Sequence, residues 1–160
     1  MVAALILAAL AVQNTGLATI QYGTPPPNFA IPAARGARYL SDLRGKVVVI
    51  DFWATWCHVC TDEMDDFVRV QRNFGDRVAV VMISDEDPGV ASAYFRQRKI
   101  SLALVEDPID AISRLYSVSK VPITLVLAPD GGVSYVSVGG LSWPELNQAI
   151  EHALPQTTSG

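Results

Sequence analysis

Cysteine is scarce in this chain of 160 residues: there are two, Cys57 and Cys60. Two cysteines cannot staple a disulfide-framed miniprotein, and they cannot build a four-cysteine zinc site. Histidine is equally scarce. His152 lies far down the chain, and His58 stands between the cysteines, where it can hardly share a tetrahedral site with both, so no metal centre is expected. Blocks of Lys and Arg are absent and the net charge is -4, which argues against a nucleic-acid surface. Charge of either sign is missing until Arg35. Within that uncharged stretch, Val2 to Val12 is one apolar run, "VAALILAALAV". It is short for a full membrane span and suits the core of an export signal. Ala9-Leu10-Ala11 supplies a small-x-small cleavage pattern, although no Lys or Arg precedes the run. A helix continued to Tyr22 would reach about 33 Å, enough to span, but it would place Gln13, Asn14 and Thr15 in lipid. Three readings of residues 1–22 stay open: a cleaved signal peptide, an uncleaved N-terminal membrane anchor, and a mis-assigned start or buried helix. The first two put the rest of the chain outside the cytoplasm.

What is present is a hydrophobic half of the composition, enough for one sizeable core in a chain of one-domain length. Thr24 to Asn28, "TPPPN", reads as extended, giving a Pro-rich linker over 23–28. A domain is expected over 29–155, followed by a frayed tail, 156–160. "KVVVIDFWA", Lys46 to Ala54, is unbrokenly apolar but for its aspartate and predicts a central buried strand. A helix follows over Cys60 to Phe74, with Met64, Phe67, Val68, Val70 and Phe74 as its apolar stripe and Gly75 as its stop. A strand is expected over Arg77–Ser84, then a turn, "DEDPG", opening a helix from Pro88 to about Lys99 with Pro88 in its first turn. A short strand, Leu102–Val105, and a short helix, Ile109–Tyr116, come next. Ile123–Ala128 and the alternating Val133–Val138 form a hairpin across "PDGG". Ser142 caps a last helix, Trp143–Leu154, with Pro144 near its start. There are no internal repeats. Strands alternating with helices, closed by a hairpin and a helix, indicate an α/β fold with a mixed sheet flanked by helices.

The chemistry gathers in "WATWCHVC", Trp53 to Cys60. A CxxC at the end of a buried strand, opening a helix, is a specific combination. Cys57 would sit at the helix N-terminus, where free N–H groups and the dipole stabilise a thiolate, the attacking species in disulfide exchange. Cys60, one turn on, is placed to resolve a mixed disulfide. His58, when protonated, would favour the Cys57 thiolate further. Two structural buried cysteines are the plain alternative. Asp51 interrupts the apolar strand, and burial there would raise its pKa. It is a candidate proton acceptor for the thiol chemistry; the alternative is an edge or strand-end Asp binding backbone. Glu63, three residues after Cys60, shares its side of the helix. It is either a second acid/base group or an ordinary first-turn acid on the helix dipole together with Asp62, Asp65 and Asp66. That acidic cluster opposes thiolate formation.

On these residues the sequence resembles thioredoxin-like proteins of the TlpA/ResA/DsbE type, bacterial extracytoplasmic thiol–disulfide oxidoreductases. The resemblance runs from about Pro27 to Leu154. Its anchors are "GKVVVIDFWATWCHVC", "DEM", "VEDPIDAISRLYSVSKVPITLVLAPDG" and the "VGG" after the hairpin. It implies a thioredoxin fold, with the helix from Pro88 and the strand ending at Val105 as a helix–strand insertion. It implies Cys57 as nucleophile, Cys60 as resolving cysteine, and a cis Val121–Pro122 bond facing them. Trp56, His58, Val121 and Pro122 would contact substrate. No cofactor is implied beyond a redox-active Cys57–Cys60 disulfide. The implied partners are protein thiols and disulfides, apocytochrome c among the candidates, and a membrane thiol-reductant donor, acting on a monomer. Three departures stand out. Val59 replaces the proline usual before the second cysteine, a position that tunes redox potential. Asp65 replaces the proline common after "EM". Asp51 matches thioredoxin itself, where this type often has Asn. The expected function is disulfide reduction outside the cytoplasm, as in cytochrome c maturation. The rivals are an oxidase or isomerase, a peroxiredoxin-like peroxidase, and a binding module that kept the fold.

Overall fold

A computed structural model describes residues 19–34 and 36–156 of the chain. The apolar run over residues 2–12, its cleavage pattern and the tail from residue 157 lie outside the described residues. The strands are β1 (Ala30–Ala34), β2 (Ala37–Tyr39), β3 (Val47–Phe52), β4 (Val78–Ser84), β5 (Ala103–Glu106), β6 (Ile123–Leu127) and β7 (Val133–Val138). The α-helices are α1 (His58–Phe74), α2 (Val90–Arg98), α3 (Ala111–Leu115) and α4 (Trp143–Ala153). Five strands make the main sheet in the order β5-β4-β3-β6-β7. β3 pairs parallel with β4 and antiparallel with β6, so the sheet is mixed and β3 is its centre.

The unbroken apolar character of β3 follows from burial on both faces. Val47, Val49 and Trp53 point into one core with Met64, Phe67 and Val70 of α1 and Leu146 and Ile150 of α4. Val48, Ile50 and Phe52 point into the other, with Phe29, Leu40, Leu43 and Tyr116. Fully burying one such aliphatic side chain contributes about 1.5–3 kcal/mol, so β3 can hardly be displaced from the centre.

Several boundaries differ from those expected. α1 starts at His58 rather than Cys60, because the Cys57 side chain itself caps the helix. α2 starts at Val90, which leaves Pro88 in the preceding turn and not in the first helical turn. Glu106 of β5 takes over the capping there, its Oε1 accepting the N–H groups of Gly89 and Ser92 at 3.1 and 3.2 Å. Ser142 caps α4 as expected, in a reciprocal box with Glu145. The β1–β2 hairpin was not anticipated; its alanine-rich strands carry no alternation of polar and apolar residues.

The stretch read as a linker over 23–28, and the end of the segment before it, read as part of a leader or anchor over 1–22, are joined to the domain. Ile20 is buried in the second core, and Tyr22 bridges in parallel to Val133. The Gly23 N–H donates to the Val133 carbonyl at 2.9 Å, and the Val133 N–H to the Thr24 carbonyl at 3.0 Å. The pairing ends where Pro25, Pro26 and Pro27 remove the donors. The Tyr116 hydroxyl then donates to the Pro27 carbonyl at 2.6 Å, while its ring packs on Phe29 and Phe52. Among the described residues no helix is long and apolar enough to cross a membrane.

Tyr116→Phe keeps the ring and loses that one bond. It should lower the unfolding free energy by about 1 kcal/mol and speed proteolytic cleavage within residues 21–28. Urea titration and limited proteolysis check both; no change in either would show that the bond does not hold the segment.

Candidate active site

The site is built where β3 runs out. The indole of Trp53 is buried and stacks on Phe95 at 5.5 Å between ring centres, with Tyr94 tilted against it at 5.3 Å. The next residues are held from the turn that follows β4. The Thr55 N–H and hydroxyl both donate to the Glu86 carboxylate, at 2.9 and 2.6 Å, and the Ser84 hydroxyl donates to the same group at 2.9 Å. Glu86 thus anchors the loop that carries the cysteines. It stands in a stretch that reads simply as a turn, and no sequence signal marks it.

Cys57 and Cys60 are joined as a disulfide, with their Cα atoms 5.3 Å apart. Cys57 has an extended backbone and occupies the cap position of α1. Its sulfur accepts the Cys60 N–H at 3.2 Å. An N–H group of the helix end is therefore already aimed at the atom that would carry charge on reduction. Cys57 retains 9% of its surface and Cys60 1%, so an incoming group meets Cys57 first. Around them Trp56 is 69% exposed, and His58 and Val59 are exposed as well.

Asp51 is 1% exposed and sits within the central strand, opposite Met82 on β4 and Thr124 on β6. The edge-strand alternative for it does not hold. By strand alternation it shares the face of Val49 and Trp53, the face that the cysteines and α1 cover. The Thr124 hydroxyl donates to its Oδ1 at 2.8 Å, and its Oδ2 has no partner. Burial pushes the Asp51 carboxyl well above the usual carboxylate range, the Thr124 bond pulls it back, and the charge of Glu63 pushes it further up.

Glu63 lies in the second turn of α1, so the first-turn role on the helix dipole does not apply. Its Oε1 accepts the Leu141 N–H at 2.5 Å from the loop between β7 and α4, and its Oε2 is buried without a partner. Its pKa is raised, chiefly by burial; the Leu141 bond lowers it, and Asp66, Asp62 and Glu145 raise it. Gly140 explains part of this geometry. A Cβ there would stand 2.9 Å from Glu63 Oε1 and 3.1 Å from a methyl of Val59. The second glycine of "VGG" lets that loop close over the carboxylate. Asp65 points away and pairs with Arg98 at 3.1 Å.

The Val121–Pro122 bond is cis, and β6 begins directly after it. Val121 packs on the core that contains both cysteines. With Trp56 it lines a groove of about 280 Å3 whose other walls include Asp85, Asp110, Arg114 and Lys120. The structure thus brings Trp56 and Val121 to one groove. His58 is exposed on α1 and does not line it. Among the described residues no group of three or more His, Cys, Asp or Glu could hold a metal ion. What the arrangement can do is cycle between a dithiol and a disulfide, with two carboxyl groups at hand to exchange protons.

Residues 22–136 match the AhpC/TSA family. The chain is 29% identical over 148 residues to the thiol-disulfide oxidoreductase ResA of Bacillus subtilis (strain 168), across 91% of this chain and 83% of that protein. It is 28% identical over 137 residues to the thioredoxin-like protein YneN of the same organism, across 82% of this chain and 80% of that one. Among solved structures, the protein assigned as thiol:disulfide interchange protein DsbE in Chlorobium tepidum matches with a TM-score of 0.75 at 29% identity, over 84% of this chain and 98% of that chain. The mixed sheet with its flanking helices is a thioredoxin-like fold.

The buried Asp51 makes stability depend on pH. Its folded-state pKa lies above the ordinary value of 3.8. Its contribution is therefore fully present below that value and is lost as pH rises through the folded-state pKa, at about 1.4 kcal/mol for each pH unit inside the window. Asp51→Asn should raise the melting temperature of the oxidised protein at neutral pH, with a gain that shrinks toward pH 4. A gain that does not change with pH would reject the buried-charge account.

Proposed function

Because this chain belongs to the AhpC/TSA family and is a thioredoxin-like thiol–disulfide oxidoreductase of the TlpA/ResA/DsbE type, we propose that it reduces disulfides of protein substrates outside the cytoplasm, as in cytochrome c maturation. The observation that carries this reading is the asymmetry of the two sulfurs. One is accessible and held on a helix-end N–H; the other is buried one turn further in.

The reaction begins with both cysteines reduced. The Cys57 thiolate attacks one sulfur of a substrate disulfide, and the other substrate sulfur leaves as a thiolate that takes a proton from water. Cys60 then attacks the Cys57 sulfur of the mixed disulfide while its proton passes to Asp51. The second substrate thiolate leaves, the substrate has gained two electrons, and Cys57 and Cys60 are oxidised to the disulfide seen here. A membrane thiol-reductant donor returns two electrons and two protons. Asp51 suits the acceptor role because burial brings its proton affinity toward that of a thiol. Glu63, raised in the same direction, is a second acid/base group that opposes the ionisation of Asp51. Trp56 and Val121 line the groove for the substrate chain, and Pro122, next in sequence to Val121, and His58, next in sequence to the nucleophile, are the further substrate contacts of this reading.

Export is supported by the apolar run over residues 2–12 and its small-x-small pattern. Cleavage after Ala11 would spare Ile20 to Thr24, which pack on the domain; retention of the run would leave a short tether to an anchor. An oxidase or isomerase is the second reading, kept open by Val59 before the second cysteine, a position that tunes the redox potential. A reduction potential near or above about -150 mV would decide for the oxidant. A peroxidase with a single working cysteine leaves the bonded Cys60 without a role.

Cys60→Ser, expressed in a bacterial host and trapped with acid, should accumulate mixed disulfides through Cys57, because exchange stalls without the second thiol. Cys57→Ser should accumulate few. Mass spectrometry of the trapped species names the substrates: apocytochrome c or its maturation proteins support the specialised reductase, and a broad set of envelope proteins supports a general reductase or isomerase. More partners on Cys57→Ser than on Cys60→Ser would reverse the assignment of the thiols.

A further inference from the structure

We propose that Thr124 is a positioning residue of the exchange reaction: its hydroxyl holds Oδ1 of Asp51 and leaves Oδ2 free on the cysteine face of the sheet to take the Cys60 proton. The proposal rests on the reading of Asp51 as the proton acceptor and adds the residue through which that carboxylate is aimed.

Thr124 is a polar residue in a strand otherwise made of Ile123, Leu125, Val126 and Leu127, and it is fully buried. A hydroxyl without a partner there would cost about 1–3 kcal/mol. It has one: it stands directly across from Asp51 in the β3–β6 register and donates to Oδ1 at 2.8 Å. Strand alternation puts Thr124 on the face of Val126, which belongs to the same core as both cysteines. The bond is the one side-chain donor that Asp51 has among the described residues, so rotation of the carboxylate is fixed from β6 alone. Among the described residues no other hydrogen-bond donor to it is found. From β4 it faces Met82; from α1 come Cys57, Cys60 and Glu63, and of these the charge that acts on it is that of Glu63, which repels. A carboxylate with one oxygen engaged and one bare has a single direction in which to accept a proton. β6 also begins at the cis Val121–Pro122 bond. Val121 in the wall of the substrate groove and Thr124, the holder of the proton acceptor, therefore lie three residues apart on one short stretch of chain.

The Thr124 bond favours the ionised carboxylate, so its loss moves the titration of Asp51 to higher pH. The resolving step can be isolated. The reduced protein is mixed with the aromatic disulfide 5,5'-dithiobis(2-nitrobenzoate); the first thiolate released reports attack by Cys57, and the second reports attack by Cys60 on the mixed disulfide. Thr124→Val keeps the branched shape and removes the donor. It should slow the second release near neutral pH by about tenfold, the worth of one hydrogen bond to an ionised group, and shift the midpoint of its pH profile to higher pH. The first release should hold its rate. Thr124→Ser, which restores a donor, should stay within about twofold of the parent. Thr124→Ala carries the same expectation as Thr124→Val should the valine fold poorly. In an Asp51→Asn background Thr124→Val should have no further effect on the profile. If Asp51→Asn changes the second release and Thr124→Val does not, or if Thr124→Val slows it equally at every pH, the positioning role is wrong. If Asp51→Asn itself leaves the second release unchanged, the proton-acceptor reading of Asp51 falls instead.

Discussion

Burial of β3 on both faces is the constraint on which the rest depends. A strand covered by α1 and α4 on one side and by Phe29, Leu40 and Tyr116 on the other has no freedom to slide, because a one-residue slip would exchange its two sets of core contacts. Everything carried by that strand inherits its position. Its end delivers Trp53 into the core and, four residues later, Cys57 to the start of α1. Its fifth residue is Asp51, which by strand alternation faces the core that contains the cysteines, at the cost of desolvating a carboxyl group. The fold tolerates that cost because a neighbouring strand supplies a hydroxyl at the same register.

The electrostatics of the site pull in two directions. The helix end and its N–H on the Cys57 sulfur favour the thiolate. Glu63, Asp62 and Asp66 on α1 oppose negative charge, and they act on one another as well. Burial raises both Asp51 and Glu63 from their ordinary values, Asp51 the further of the two.

The loops matter as much as the strands. Glu86 pins Thr55, Leu141 pins Glu63, and Gly140 leaves room for that second contact. The cysteine loop is thus braced from the turn that follows β4 and from the turn before α4, two elements with no sequence relation to it. Bracing from independent directions keeps the sulfur and the carboxylates in register while Trp56 and the groove beside Val121 stay open to solvent.

Much of this was legible in the chain itself. The apolar run around Asp51, the CxxC at a strand-to-helix junction and the hairpin at "PDGG" are local patterns, and local patterns report burial and periodicity directly. They were sufficient for the order of strands and helices from β3 onward, the central strand and the two sulfurs. Only the tertiary structure decided that Thr124 meets Asp51, that Leu141 meets Glu63 and that Glu86 holds Thr55, pairs separated by 73, 78 and 31 positions. It also decided that the stretch from Ile20 to Thr24 joins the domain, through pairing with Val133 that the prolines immediately after Thr24 do not suggest. A sequence states which side chains can donate, accept or be buried; which donor meets which acceptor depends on register between strands and on loop closure, and those are set when the whole sheet packs.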